Sequence, residues 1–472
     1  MTIVDRLLDE LRERSALQRD ASETLYTQLA DALQQAIEGG RVKPGERLPP
    51  HRDFASVLGV NITTVTKAMA VLQQKGLIMS RPGRGTLVSA PRHPATQFQS
   101  APSNDPDVVD LSVNRPATDG CNRVLAQLLP RLAGDPRFAD MKDYQQPQGP
   151  RWARDAAATW LNHTGVAAEA ERIVIVEGAQ HGIASILRGL TTSGDVVLAD
   201  SITYQGINAL CRSLGLVLVG VDNDSRGMSP AALRQACDEY QPRLLFLVPS
   251  IQNPTALTLD AERRRELADV IQDTELLVIE DDVYRPLLDD SPAPLASLLP
   301  DRTLYVTALS KCIAPGLRMG FVLAPSSLVE NIASMQRIDL WSTPPLTALI
   351  ATRMIEEGSA AQLVKEQQEE LRARQALLDE HFAGLEYRNS PTATHAWLLL
   401  PEPWVGSRFA LLCQERGVVV LAGGAFTLKP EFSPQAIRIN ISAAMSREHL
   451  AKGLKVISQL ARQGHLYMHN RI

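Results

Sequence analysis

The sequence predicts an α/β protein with a small N-terminal domain of three helices and a hairpin, followed by a larger α/β domain. Three observations predict this organisation of the 472 residues. The length exceeds that of one typical domain. Residues 90–107 hold four prolines among Ser, Gln and Asn, which is a linker composition. From about residue 108, short β-branched runs alternate with helical patterns, which indicates a mostly parallel sheet with flanking helices and a small C-terminal αβ lobe at about 345–465.

The N-terminal domain begins with apolar residues at helical spacing over residues 25–37, which end at a Gly-Gly pair. Prolines interrupt the chain before a short helix near residues 51–57, and a third helix is predicted over 63–74. Two short strands, 77–80 and 86–89, flank a glycine-rich turn. Three helices and a hairpin in this order are typical of a winged helix-turn-helix, whose third helix enters the major groove of DNA.

Basic residues are concentrated in this segment, although the formal net charge of the chain is −5. Residues 41–90 carry eight basic side chains and two acidic ones, which favours contact with a phosphate backbone. Short polar side chains at the start of the third helix can reach base edges or phosphates, although any one of them alone would suit an ordinary solvated helix face. The predicted DNA-binding residues are Arg52, Asn61, Thr63, Thr64, Thr66, Lys67, Arg81 and Arg84.

The run GERLPPHRDFASVLGVNITTVTKAMAVLQQKGLIMSRPGRGTLV, residues 45–88, resembles the winged helix-turn-helix of the GntR family of bacterial regulators. The resemblance implies double-stranded DNA as a partner. One departure is Ile62, at a position where many relatives carry a basic residue. The DNA-binding domain is placed at residues 1–89, including an amphipathic helical extension over 3–17 to which no role is assigned.

Several classes of protein are excluded by what the sequence lacks. The five cysteines are scattered without a CxxC pair, so neither disulfides nor a metal site is predicted. No apolar run approaches the length needed to span a bilayer, and the N-terminus alternates charge with leucine, unlike a secretory signal. The sequence therefore predicts a cytoplasmic protein with no membrane partner.

A lysine and an arginine stand seven residues apart on a Pro/Gly-shaped turn in the large domain, at Lys311 and Arg318. A desolvated lysine amine can form an imine, or Schiff base, with a carbonyl cofactor, and pyridoxal 5′-phosphate is the usual partner of such a lysine. An arginine suits the phosphate of that cofactor. By themselves the two residues would more often lie on the surface.

Other motifs at strand ends support a cofactor site. A turn at residues 177–182 joins a strand to a helix whose free N–H groups could hold a phosphate. Asp281 could keep a pyridine nitrogen protonated, and Tyr284 and Asn253 could bind a phenolic oxygen. Tyr204 could stack on a ring, although each of these residues alone also suits a turn, a loop or ordinary packing. The order of the motifs along the chain favours the cofactor.

This series resembles the fold-type I aminotransferases of class I and II over residues 108–465. The resemblance implies Lys311 as the catalytic Schiff-base lysine and Arg438 as the residue that binds an effector's α-carboxylate, although a charge at a strand edge remains an alternative for Arg438. The cofactor-binding residues that it implies are Gly178, Ala179, Gln180, Tyr204, Asn253, Asp281, Tyr284, Lys311, Arg318 and Tyr144. Tyr144 matches the tyrosine that reaches the partner subunit's phosphate. Ala308 departs from the pattern, because many relatives have a hydroxyl three residues before the lysine.

A GntR-type winged helix joined by the linker 90–107 to an aminotransferase-like domain at 108–472 resembles the MocR-type regulators. The resemblance implies a transcriptional regulator that uses bound pyridoxal 5′-phosphate to sense an amine or amino acid, or the cofactor itself, and that forms a domain-swapped homodimer. Two alternatives remain open. One is an active class I and II aminotransferase that also binds DNA, and the other is a regulator with a vestigial pocket that serves only oligomerisation.

Overall fold

The computed structural model describes residues 25–38, 42, 46–74, 77–81, 85–88, 105, 107–429 and 433–463. The chain divides into two compact units, residues 1–99 and 100–472. The predicted N-terminal extension and most of the linker lie outside the described residues. The domain boundaries at 89 and 107 remain predictions.

Among its described residues, the first unit contains three helices, α1 Leu25–Glu38, α2 His51–Leu58 and α3 Ile62–Gln74, and a hairpin of β1 Ile78–Arg81 and β2 Gly85–Val88. The apolar positions of α1 and α3 face each other and form one core with α2, with Leu33, Phe54 and Leu72 buried in it. Gly59 ends α2 at φ +65°, a left-handed conformation that suits glycine. The Asn61 side chain accepts the backbone N–H of Thr63 at 3.0 Å and so caps the start of α3.

Within the described residues, no single helix is long and apolar enough to cross a membrane. The bent pair α2 and α3 passes the same length and composition criterion, and its apolar side chains form the core just described.

The second unit begins with the two-residue strand β3 Val109–Asp110 and contains a seven-stranded central sheet. The strands of that sheet are β4 Ile173–Val176, β5 Val196–Asp200, β6 Val217–Val221, β9 Leu244–Leu247, β10 Leu277–Asp281, β11 Thr303–Ala308 and β12 Gly320–Leu323. In the sequence, a small hairpin of β7 Asn223–Asp224 and β8 Gly227–Met228 lies between β6 and β9. The spatial order is β4-β12-β11-β10-β9-β5-β6, and all neighbours are parallel except that β12 runs antiparallel to β4 and β11. The mostly parallel sheet is thus confirmed.

Helices complete the second unit: the earlier ones lie against this sheet, and the last two pack in the small lobe described below. They are α4 Gly120–Leu132, α5 Arg151–His163, α6 Ala179–Leu190, α7 Gln205–Leu214, α8 Pro230–Tyr240, α9 Ala261–Gln272, α10 Leu295–Leu298, α11 Val329–Leu340, α12 Pro345–Glu356, α13 Ser359–His381, α14 Gly406–Glu415 and α15 Arg447–Arg462. The sheet has apolar cores on both sides, as its nearly continuous β-branched and leucine-rich strands predict.

A small lobe packs four antiparallel strands in the order β13 Tyr387–Arg388, β14 Ala396–Leu399, β17 Ala436–Ile439 and β16 Leu421–Ala422. Its core also includes Val109 and Leu111, because β3 pairs with β15 Val418–Val419. The predicted start of this lobe near residue 345 is wrong, since α12 packs on α5 and buries Leu349 in the core of the large sheet. The lobe's own core begins late in α13, at Leu378.

Candidate functional site

A cavity of about 120 Å³ opens at the carboxyl edge of the central sheet. The parallel strands end there, and the antiparallel β12 starts there, so residues after β10 and β11 meet residues before β12 at one edge. Eight of the residues predicted to bind the cofactor line the cavity: Ala179, Gln180, Tyr204, Asn253, Asp281, Tyr284, Lys311 and Arg318. The remaining lining residues are Ile183, Val248, Val283, Ala308 and Ser310.

One end of the cavity is suited to an anion. Gly178 precedes the first turn of α6 at φ +81° and ψ 166°, which directs the helix N-terminus at the cavity. A Cβ at Gly178 would lie only 2.6 Å from the Arg318 Nη2 atom, so glycine is what allows the guanidinium to sit against this turn. Arg318 is itself held by a 2.8 Å hydrogen bond from Nη2 to the carbonyl oxygen of Glu177. Backbone donors and a guanidinium together fit a phosphate group.

No hydroxyl is supplied at this end by residue 308, which is an alanine buried at the last position of β11. The hydroxyl of Ser310, directly before the lysine, belongs to a residue that does line the cavity. The sequence did not predict Ser310 as a site residue.

Lys311 presents its amine inside the cavity, where Nζ donates a 3.0 Å hydrogen bond to the backbone carbonyl of Asn114. Burial lowers the pKa of Lys311 to about 8, helped by the positive charges of Arg438 and Arg318 and opposed by Asp281. An amine with this pKa is partly neutral near pH 7–8, and the neutral form is the nucleophile. The local environment therefore activates this lysine toward a carbonyl group.

Asp281 ends β10 with its carboxyl group buried beside the cavity. Burial raises its pKa to about 7, and the adjacent Asp282 adds to the rise while Lys311 opposes it. Its Oδ1 atom is buried and has no hydrogen-bond partner among the described residues. A buried carboxylate oxygen without a donor is costly, and a protonated ring nitrogen would satisfy it.

The aromatic and amide groups complete the cavity. Tyr204 lies against Gly206, where a Cβ would come within 2.2 Å of the tyrosine ring. The Gln180 Nε2 group donates to the Gly206 carbonyl at 3.4 Å, and its Oε1 atom has no partner among the described residues. Burial raises the pKa of Tyr204 to about 12 and that of Tyr284 further, so both hydroxyls stay protonated. The buried Asn253 lines the cavity together with these two tyrosines, so its amide can contact a ring substituent.

Arg438 lies behind Asn253 rather than among the residues that line the cavity. Its Nη1 donates to the Asn253 Oδ1 atom at 2.7 Å, and its Nη2 donates to the Ser112 carbonyl at 2.6 Å. The guanidinium stacks 4.8 Å from the centre of the Phe426 ring, and its buried Nε has no partner among the described residues. Burial lowers the pKa of Arg438 to about 10, which still leaves it a cation at neutral pH.

Tyr144 lies away from the cavity of its own chain. It is 80% exposed and packs on Trp341 with ring centres 5.7 Å apart. Ile338 and Leu346, which are close to Trp341 in the sequence, are also exposed, at 66% and 46%.

Two further residues at the site were not predicted from the sequence. Asn114 contacts both Lys311 and Tyr284, and His395 packs on the Tyr284 ring with centres 5.6 Å apart. Asn114 is 197 positions from Lys311 in the sequence, and no motif marks it. His395 lies in a strand region with an ordinary apolar pattern, so only the fold brings these residues to the site.

The structure describes most of the predicted DNA-binding residues within the first unit. Arg52, Asn61, Thr63, Thr66 and Lys67 are exposed and Thr64 is half-buried, all on α2 and the start of α3. The Thr66 hydroxyl donates to the Ile62 carbonyl at 2.9 Å, and the Lys67 amine lies 5.7 Å from the centre of the Tyr26 ring. Arg81 is described only through its backbone in β1, and Arg84 lies outside the described residues.

Comparison with protein families matches two parts of the chain. Residues 25–88 match the model described as bacterial regulatory proteins, gntR family, and residues 106–457 match aminotransferase class I and II. An uncharacterized HTH-type transcriptional regulator of Bacillus subtilis, YdeF, is 29% identical over 93% of this chain and 95% of its own length. The HTH-type pyridoxine biosynthesis transcriptional regulator PdxR of Corynebacterium glutamicum is 25% identical over 80% of this chain and 84% of its own.

Solved structures match the second unit. LysN, the alpha-aminoadipate aminotransferase of Thermus thermophilus, was solved in complex with N-(5′-phosphopyridoxyl)-L-leucine. It aligns with a TM-score of 0.70 at 20% identity, over 79% of this chain and 97% of its own. This likeness extends to the fold of the large unit.

Proposed function

Because the chain belongs to the aminotransferase class I and II family and carries a GntR-family domain ahead of it, the MocR-type arrangement, we propose that this regulator senses through pyridoxal 5′-phosphate. Its named relatives are HTH-type transcriptional regulators. The aminotransferase fold implies the cofactor, and the DNA-binding domain implies double-stranded DNA as a partner. A protein that acts on chromosomal DNA works in the cytoplasm of a bacterium.

The observation that carries the proposal is the pairing of Lys311 and Asp281 across one cavity. The lysine amine has a pKa of about 8 and is ready to react with a carbonyl group, while the buried carboxyl of Asp281 has an oxygen with no donor in the described part of the chain. When bound, pyridoxal 5′-phosphate supplies an aldehyde that condenses with amines and a ring that withdraws electrons. Both protein groups match that chemistry.

The other residues divide the work of holding the cofactor. Gly178 and the first N–H groups of α6, at Ala179 and Gln180, would bind the phosphate together with Arg318. Tyr204 would cover one face of the ring. Asn253 and Tyr284 would donate to its phenolic oxygen, as their positions beside the cavity support.

The effector is either the cofactor itself or an amino compound that reacts with it. A carboxylate on such a compound would bind Arg438, whose guanidinium stays charged and whose Nε has no partner among the described residues. The printed name of the Corynebacterium relative, a pyridoxine biosynthesis regulator, supports the cofactor itself as an effector. In either case the ligand acts by binding one arrangement of the regulator better than another.

A domain-swapped homodimer is part of the proposal. The exposed apolar side chains of Tyr144, Ile338, Trp341 and Leu346 support an interface with a second copy of the chain. In such a dimer the Tyr144 hydroxyl would reach the phosphate bound by the other subunit. That role explains why a tyrosine of the second unit is so exposed in its own chain.

The test is the visible absorbance of the protein after incubation with pyridoxal 5′-phosphate and desalting. We expect the wild type to retain a visible band and Lys311→Ala to lose it, because only the amine of Lys311 can hold the cofactor covalently. Lys365→Ala, which removes an exposed lysine on α13, is the matched control and should keep the band. A colourless wild type would favour the vestigial-pocket alternative.

The same residues would also permit an active aminotransferase, because Lys311 is partly neutral and Arg438 stays charged behind Asn253. Steady turnover of an amino donor with a keto acid would support that alternative. A regulator instead binds the amine and stops, so its spectrum should change once on addition of the amine without release of a keto product.

A further inference from the structure

Tyr284 receives a hydrogen bond from a chain of buried groups outside the cavity. Asn114 Nδ2 lies 2.9 Å from the Tyr284 hydroxyl and 3.5 Å from Nδ1 of His395. His395 Nε2 lies 3.0 Å from the backbone carbonyl of Gln252. His395 and Gln252 are both nearly fully buried, so these contacts are shielded from water.

The direction of each hydrogen bond follows from the contact between His395 Nε2 and the Gln252 carbonyl. A carbonyl oxygen can only accept, so His395 carries its proton on Nε2. Burial and the charge of Arg438 lower the pKa of His395 to about 3, so the ring is neutral and Nδ1 presents a lone pair. Two groups face this lone pair, the Thr394 hydroxyl at 3.1 Å and the Asn114 amide at 3.5 Å. An amide oxygen would be repelled by the lone pair, so the NH₂ of Asn114 points toward His395.

That orientation determines what Tyr284 can do. The NH₂ of Asn114 also faces the Tyr284 oxygen, so this hydroxyl accepts from Asn114. Burial holds the pKa of Tyr284 well above its usual value, so the hydroxyl keeps its proton. Among the described residues the hydroxyl has no other hydrogen-bond partner, and the proton is free to point into the cavity that Tyr284 lines.

We propose that Asn114 and His395 are positioning residues that direct the Tyr284 proton toward the ligand in the cavity. The inference rests on the proposed function, since the acceptor would be the phenolic oxygen of the cofactor. The backbone carbonyl of Asn114 also accepts a hydrogen bond from the Lys311 amine, so one residue sets the position of both the Tyr284 hydroxyl and this amine. Asn114 acts through Tyr284 and Lys311 rather than on the ligand.

The experiment compares Asn114→Ala with Asn114→Asp, using pyridoxal 5′-phosphate as the probe and the full-length chain. Asn114→Ala removes the donor, and we expect affinity to fall about 3- to 10-fold. Asn114→Asp keeps the shape of the side chain but replaces the NH₂ donor with an oxygen acceptor. The Tyr284 hydroxyl then donates its hydrogen bond to that oxygen, so its proton points away from the cavity. We therefore expect the Asp variant to bind more weakly than the Ala variant. A role in packing alone predicts the opposite order.

A second readout is the pH at which the visible spectrum of the bound cofactor changes. A hydrogen bond from Tyr284 to an anionic phenolic oxygen favours the form in which the nitrogen joining Lys311 to the cofactor has lost its proton. Weakening the bond from Tyr284 should therefore raise the midpoint by a few tenths of a pH unit, with Asp above Ala above wild type.

Both effects should pass through Tyr284, which the Tyr284→Phe background tests. In that background Asn114→Asp should lose most of its effect on the midpoint and on affinity, and the remainder measures the direct effect of the added charge. This cycle is complete without the Ala variant if that variant does not fold. An undiminished effect in the Phe background, or an Asp variant no weaker than Ala, would overturn the inference. A wild type without cofactor absorbance would instead overturn the proposed function.

Discussion

Gly178→Ala is expected to weaken cofactor binding as well as to destabilise the fold. The substitution places a Cβ 2.6 Å from the Arg318 Nη2 atom. Arg318 is exposed and the close atoms are at the end of its side chain, so the guanidinium can move away by giving up its hydrogen bond to the Glu177 carbonyl. The moved guanidinium then no longer faces the turn at the start of α6, where the phosphate would bind.

The magnitude follows from the two effects separately. The backbone at Gly178, with φ +81° and ψ 166°, is open almost only to glycine, and forcing alanine into it costs about 1–3 kcal/mol. A hydrogen bond to a charged group contributes about 1.5–3 kcal/mol, so losing the Arg318 contact should weaken cofactor affinity about 10- to 100-fold. The first cost appears in unfolding and the second in binding.

Gly384→Ala is the matched control. Gly384 has φ +80°, and a Cβ there would meet no atom within 4 Å. We expect it to lower the free energy of unfolding by about 1–2 kcal/mol and to leave cofactor affinity unchanged. Affinity is measured by absorbance titration with pyridoxal 5′-phosphate, and stability by denaturant unfolding of the cofactor-free protein. Equal affinity in Gly178→Ala and the control would refute the placement of the phosphate.

Three further expectations concern pH, DNA and the subunit interface. The pKa of Asp281 rises from its ordinary 3.8 to about 7, so the cofactor-free protein should lose stability as pH increases from about 4 to 7. Asp281→Asn should make that decline shallower in a pH series of unfolding curves. Lys67→Ala should reduce the salt slope of DNA binding by about 1, whereas the exposed neutral Gln73→Ala should leave it unchanged; equal slopes would contradict the assignment of α3. Tyr144→Phe keeps the packing on Trp341, so we expect an unchanged dimer by sedimentation but about 3- to 10-fold weaker cofactor affinity. A loss of the dimer instead would assign Tyr144 to the interface alone.

The parts of the site that sequence could predict are those attached to regular strands. The β-branched and apolar runs predict strands at 173–176, 196–199, 217–221, 244–248, 276–279, 303–307 and 321–323. Each strand of the central sheet lies within one or two residues of its prediction. Because parallel strands end at one edge of a sheet, motifs after β10 and β11 were expected to meet, and Asp281 and Lys311 do line one cavity.

The parts that sequence could not predict depend on short or distant pairings. Strand β3 has only two residues, too few for a periodic pattern, yet it brings the following Asn114 to the lysine. Arg438 was expected to face a carboxylate. In the structure it bonds to Asn253 and Ser112, so the contact joins three segments that are distant in the sequence. Helix α12 was assigned to the small lobe because its apolar pattern does not say which core it joins.

The most direct test of the account is a footprint on the DNA upstream of the protein's own coding region, with and without pyridoxal 5′-phosphate. Wild type and Lys311→Ala are compared at equal concentration and salt. We predict that the cofactor changes the affinity or the protected length for the wild type and has no effect on Lys311→Ala. The same response in both proteins, or none in a wild type that carries the visible band, would contradict the claim that the Lys311 site controls DNA binding.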